Sequence, residues 1–128
     1  NGTSKIALCT LPPIGENKDS AINEHVRKFN DFIELTANNK NINLIPVSNL
    51  LWDELSKRTY SVKSDYDPNS LPIIRRIYGG MMHHYIFKKS WDEIAKSKGQ
   101  WLLFDQIHLG GRAAKILFNA TKKYISSV

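Results

Sequence analysis

Short apolar runs alternate along this chain with longer segments whose apolar residues recur at helical spacing, and no other feature restricts the fold as much. The runs cover residues 5–11, 42–47 and 101–104. Each has the length of a buried strand and is too short for a helix. Such alternation favours a parallel sheet covered by helices, because parallel neighbours need a long crossover between them. Three strands are few for a self-sufficient sheet of this kind. Ile6, Leu8, Ile42, Leu44, Leu102 and Phe104 are therefore expected to leave apolar surface that must be covered, so the isolated chain should not be a stable monomer.

The segments between the runs carry their own punctuation. Pro12-Pro13 ends the first run, since neither proline can donate to a sheet ladder, and residues 12–18 form a loop. Asp19 or Ser20 caps a helix with Ile22, Val26, Phe29, Ile33 and Ala37 on one buried face. Asn38 to Asn41 make a polar turn. Ser48 is placed to cap a short helix bearing Leu50, Leu51, Trp52 and Leu55, and residues 59–70 read as loop. Helical spacing returns through Ile73, Ile77, Met81 and Tyr85, weakened by Gly79-Gly80. Ser90-Trp91-Asp92-Glu93 is a capping box for a further helix that Gly99 closes. Ala113, Ile116, Leu117, Ala120 and Tyr124 mark a last amphipathic helix.

Composition removes several classes. The chain has 128 residues, 41% of them hydrophobic and 23% charged, which suits one globular domain and not a disordered polymer. A single cysteine, Cys9, excludes an internal disulfide and a thiol-rich metal cluster. Cys9 lies inside the first run and reads as a buried packing residue, not a nucleophile. No apolar run is long enough to span a bilayer. The net charge of +6 suggests a nucleic acid or an anionic membrane as partner, but the basic residues are spread in ones and twos among acidic ones and no nucleic-acid motif accompanies them, so a solvated surface is expected and neither partner is. No cofactor is implied. Asn1-Gly2-Thr3 and Asn119-Ala120-Thr121 fit the glycosylation sequon.

Ligand-binding residues in open α/β sheets gather beyond the carboxyl ends of strands. Two places qualify, residues 10–16 and 105–111. In the second, Asp105 and His108 follow a strand run directly and precede Gly110-Gly111. An Asp that accepts from one imidazole nitrogen fixes the tautomer and frees the other nitrogen to take a proton from a nucleophile; the bland alternative is a helix cap beside a solvent-facing imidazole. Adjacent His83-His84 face different directions on a helix and do not make a metal site. Met81, Met82 and Tyr85 read as core packing, with an acyl-chain pocket as the alternative.

The block Phe104-Asp105-Gln106-Ile107-His108-Leu109-Gly110 resembles the Asp-x-x-His-Leu block of the SGNH hydrolases, the GDSL esterases and lipases. Thr10 to Glu16, with Asn23 and Asn30-Asp31-Phe32-Ile33, resembles the central strand, loop and helix of one esterase branch. Residues 71–99 resemble a helical insertion that this branch carries before its last strand. The resemblance implies a flavodoxin-like three-layer fold, a parallel sheet flanked by helices, and hydrolysis of small carboxylic esters through a serine acyl-enzyme. His108 would be the general base and Asp105 its orienting partner.

The family's Gly-Asp-Ser motif and its oxyanion-hole glycine and asparagine all precede the strand that residues 5–11 match, and none of them occurs here. The resemblance thus implies that residues 1–128 are the C-terminal half of such a hydrolase, inactive alone. Its partner would be an N-terminal half or a complementary chain. The alternative is a non-catalytic SGNH-like interaction or structural subunit.

Overall fold

A computed structural model describes residues 6–61, 66 and 73–127. Two strands and five helices follow in the order β1 (Ala7–Cys9), α1 (Ala21–Lys40), β2 (Asn43–Ile45), α2 (Val47–Leu55), α3 (Ile73–Tyr85), α4 (Trp91–Ser97) and α5 (Gly111–Ser127). β1 and β2 pair in parallel, with Leu8 opposite Leu44, and α1 is the crossover that parallel pairing requires. The architecture is mixed α/β with a two-stranded parallel sheet. Residues 62–65 and 67–70 of the expected loop lie outside the described residues.

α1 starts at Ser20, whose hydroxyl accepts from the Asn23 N–H, and ends at Asn41 in the left-handed conformation. Its buried side is not the expected apolar stripe. Val26 and Ala37 are buried, but so are Asn23 and Asn30, while Phe29 is 62% exposed. The two asparagines displace Phe29 because they serve the loop after β1. Asn30 Oδ1 accepts from Leu11 N–H at 2.6 Å and its amide donates to the Leu11 carbonyl at 3.1 Å. Asn23 does the same for Ile14 at 3.0 and 2.9 Å. Seven residues separate the asparagines, two helical turns, so one face clamps both ends of the loop.

α2 also departs from expectation. Its N-cap is Pro46, and Ser48 sits inside the helix, where its N–H donates to Thr10 Oγ1 at 2.8 Å. Thr10 thus supplies from the end of β1 the cap that Ser48 was expected to give. α4 matches its sequence signature, with Ser90 and Glu93 closing the capping box in both directions.

Residues 101–104 do not form the expected third strand. Leu103 makes only an isolated antiparallel bridge with Leu109, because the backbone N–H groups of Trp101, Leu102 and Leu103 are all taken by the side chain of Glu16. Leu102 and Leu103 are nonetheless fully buried, packed with Ile45, Val47, Leu51, Leu55 and Ala113. Phe104 joins Ile94 and Ala95 in a smaller cluster beside Trp91. The expectation that Leu102 and Phe104 lack cover is therefore wrong. It holds for Ile6, which is 62% exposed. Cys9 is exposed as well, not buried, since among the described residues β1 is hydrogen-bonded along one edge only. No described helix is long and apolar enough to cross a membrane.

Candidate functional site

The two loops singled out in the sequence lie against each other. Gly15 N–H donates to the Gln106 carbonyl at 2.6 Å, and Glu16 reaches the chain just before Asp105. Glu16 has a side-chain exposure of 0%. Its Oε1 accepts from Leu102 N–H at 2.6 Å and Leu103 N–H at 2.9 Å, and Trp101 N–H donates to both carboxylate oxygens. Arg58 lies over the same carboxylate at 3.7 Å and donates to the Glu16 backbone carbonyl at 2.9 Å. A buried carboxylate survives only with such partners. Tyr60, whose hydroxyl donates to the Gln100 carbonyl, has its phenol pushed above the ordinary value, first by burial and then by the negative charge of Glu16.

Beyond this anchor the chain turns sharply. Gly110 N–H donates to the Leu102 carbonyl at 2.6 Å, and a Cβ on Gly110 would stand 2.9 Å from that oxygen, so only glycine permits the approach. Gln106 has φ of 76°, a left-handed conformation costly for a residue with a side chain. It is held there from both sides, because its N–H donates to Gln100 Oε1 at 3.1 Å while its carbonyl takes the Gly15 bond. Asp92 closes the turn by accepting from Arg112 N–H at 2.9 Å at the start of α5.

Asp105 and His108 meet within this turn. Asp105 is buried, whereas the His108 side chain is 50% exposed. Asp105 Oδ2 is 2.7 Å from His108 Nδ1. Asp105 Oδ1 accepts from the backbone N–H groups of His108 at 2.7 Å and Ile107 at 3.1 Å. A carboxylate only accepts, so the short contact places the imidazole proton on Nδ1 and leaves the Nε2 lone pair outward. Among the described residues no hydrogen-bond partner reaches Nε2. Phe104 lies flat against the ring, with centroids 5.7 Å apart and planes 23° from parallel. The imidazole is thereby fixed in tautomer by Asp105 and in tilt by Phe104, with its basic nitrogen presented to whatever approaches.

The other candidates fall elsewhere. His83 Nδ1 bonds the Gly79 carbonyl and His84 Nδ1 the Lys89 carbonyl. No group of three metal-ligating side chains occurs among the described residues. Met81, Met82 and Tyr85 are exposed, so the core-packing reading of these residues is wrong. The sequence reading missed Glu16, Arg58, Gln100 and Asp92 as organisers of the site. For Glu16 a signal was present, an acidic residue closing a loop at a presumed strand end, but its partners lie about 85 residues away.

No protein-family model matches the chain, no curated protein matches it, and no solved structure matches it.

Proposed function

We propose that Asp105 and His108 are the orienter and general base of a serine acyl-transfer site that hydrolyses carboxylic esters, with the nucleophile and oxyanion donors supplied from outside these 128 residues. The 2.7 Å contact between Asp105 Oδ2 and His108 Nδ1, with a buried carboxylate and an outward Nε2, carries this reading. In such a site Nε2 takes the serine proton as the oxygen attacks the ester carbonyl. It then returns the proton to the leaving alcohol, while Asp105 stabilises the imidazolium that exists between the two steps. The resemblance of residues 104–110 to the SGNH block supports the same assignment, and so does β1, whose exposed Ile6, Cys9 and Leu11 leave room for another strand. A flavodoxin-like three-layer sheet is the fold this reading requires once that strand is in place.

The second reading is structural. Asp105 Oδ1 closes a tight turn through two backbone N–H groups, a role that needs no chemistry. Turnover of short p-nitrophenyl esters separates the two. The isolated chain is expected to be inactive. The chain joined to the segment or partner that completes its sheet is expected to hydrolyse the ester and to be labelled by a fluorophosphonate on a serine outside residues 1–128. His108→Ala in that assembly should then lower kcat by about 10³-fold or more. Equal turnover by the wild type and His108→Ala leaves only the structural role.

A further inference from the structure

α3 divides its residues between two sides. Gly80 and His84, four apart, face the rest of the protein. A Cβ on Gly80 would lie 3.0 Å from the Phe104 ring, and His84 stacks on Trp91 at a centroid distance of 4.1 Å. The opposite side carries Tyr78, Met81, Met82 and Tyr85, followed by Ile86 and Phe87 just past the helix, and these six are 41–67% exposed. Five of them line an open groove of about 620 Å³ that also touches Arg75. Scattered exposed apolar residues are ordinary, but six in one contiguous segment mark a contact surface.

Charge decides what kind of surface. Residues 73–89 contain Arg75, Arg76, Lys88 and Lys89 and not one Asp or Glu; residues 106–128, with Arg112, Lys115, Lys122 and Lys123, likewise carry no acid, but among their described residues only Phe118 and Ile125 are exposed large apolar side chains. Arg75, Lys88 and Lys89 are exposed; the Glu93 carboxylate has its pKa lowered by hydrogen bonds from Ser90, and Lys89 lies close enough to help lower it. Cations therefore flank an apolar, tyrosine- and methionine-bearing band at both ends. An amphipathic helix of this pattern suits the boundary between lipid headgroups and acyl chains, where aromatic and aliphatic side chains sink below phosphates that basic residues hold. Tyrosine suits the same depth, having an apolar ring and a polar tip.

We propose that the exposed side of α3, with residues 86–89, docks this protein on an anionic lipid bilayer surface. The proposal rests on α3 and its charges alone and stands or falls independently of the esterase reading. The test is co-sedimentation of the purified chain with vesicles of phosphatidylcholine alone and of phosphatidylcholine mixed with phosphatidylserine. Partition is expected on the mixed vesicles and not on the neutral ones. Lys88→Glu with Lys89→Glu should weaken it at least about 30-fold, the equivalent of about 1 kcal/mol for each basic residue removed from the surface. Met82→Ser with Tyr85→Ser should weaken it as well. Lys122→Glu with Lys123→Glu on α5 changes the net charge equally and should leave partition within about threefold, which separates this face from diffuse attraction by the net charge. All these positions are exposed, and circular dichroism checks that each variant is folded. Equal partition on both vesicle types, absence of partition on the mixed vesicles, or an equal loss from the α5 pair would overturn the proposal.

Discussion

Replacing Glu16 by glutamine tests whether one buried carboxylate holds residues 101–103 in place. The change is nearly isosteric and removes only the charge and one acceptor. In the wild type three backbone N–H groups converge on the carboxylate at 2.6–2.9 Å. Hydrogen bonds to a charged acceptor contribute about 1.5–3 kcal/mol each, against roughly 1 kcal/mol for neutral ones. Three such bonds weakened by about 1 kcal/mol each give a loss of about 3 kcal/mol. Wherever the amide nitrogen of glutamine replaces Oε2, it faces Arg58 and the Trp101 N–H, donor against donor, which adds to the cost.

The assay is urea unfolding followed by the fluorescence of Trp52, Trp91 and Trp101. With a slope of about 1.5 kcal/mol per molar, the midpoint should fall by about 2 M. Against a total stability of about 5–15 kcal/mol this is a large fraction. Glu24→Gln, at an exposed carboxylate paired with Lys28, is the matched control. A loss at Glu16 of less than about 1 kcal/mol, the size of an exposed ion pair, would refute the reasoning and mean that residues 101–103 are held by packing alone.

Asp105→Asn should switch the neutral tautomer of His108, because an amide can donate to Nδ1 and so move the ring proton to Nε2. Long-range proton–nitrogen correlation spectra should show the Nδ1–H form in the wild type, and an Nε2–H wild type would rule out the pairing described. Asn30→Ala removes both hydrogen bonds to Leu11 and should destabilise by about 2 kcal/mol in the same urea assay. Tyr60 holds its proton more tightly folded than unfolded, so its contribution is complete below the ordinary value of 10.0 and is lost as pH rises through the raised one. Tyr60→Phe should therefore flatten the alkaline limb of stability against pH, and an unchanged limb would contradict that assignment. Cys9 should react with a maleimide in the folded chain nearly as fast as in urea, since its side chain is exposed; protection by an order of magnitude would place it against a neighbour.

What the sequence disclosed was local. Ser20 and the Ser90–Glu93 box start their helices as read, because a cap acts on N–H groups two or three residues away. Asp105 and His108 pair as the catalytic reading required, because three residues and a tight turn suffice to bring them together. Residues 101–104 were misread for the opposite reason. Their apolar pattern describes burial correctly, since Leu102 and Leu103 are in the core, but a strand also needs a ladder, and the N–H groups went to a carboxylate remote in sequence. Phe29 was misplaced because periodicity counts apolar residues only, and the face of α1 that turns inward meets a loop whose backbone needs the amides of Asn23 and Asn30.

These displacements restrict how the sheet can grow. With the N–H groups of Trp101, Leu102 and Leu103 committed to Glu16, that segment has no donors left for pairing with β2. The β2 side is flanked by α5, whose Ile116, Ala120 and Tyr124 share a groove with Leu44 and Ile45. β1 lacks such cover, and Ile6, Cys9 and Leu11 are exposed along it. An added strand therefore has its opening on the β1 side. The loop that leaves β1 is clamped by Asn30 and Asn23, bonded to Gln106 through Gly15, and continued by the carboxylate that holds residues 101–103. A strand docking on β1 would thus bring its carboxyl end toward the turn that presents His108, provided it runs parallel to β1 as β2 does. The position of the outward-facing Nε2 and the position of the open sheet edge are consequences of the same few side chains.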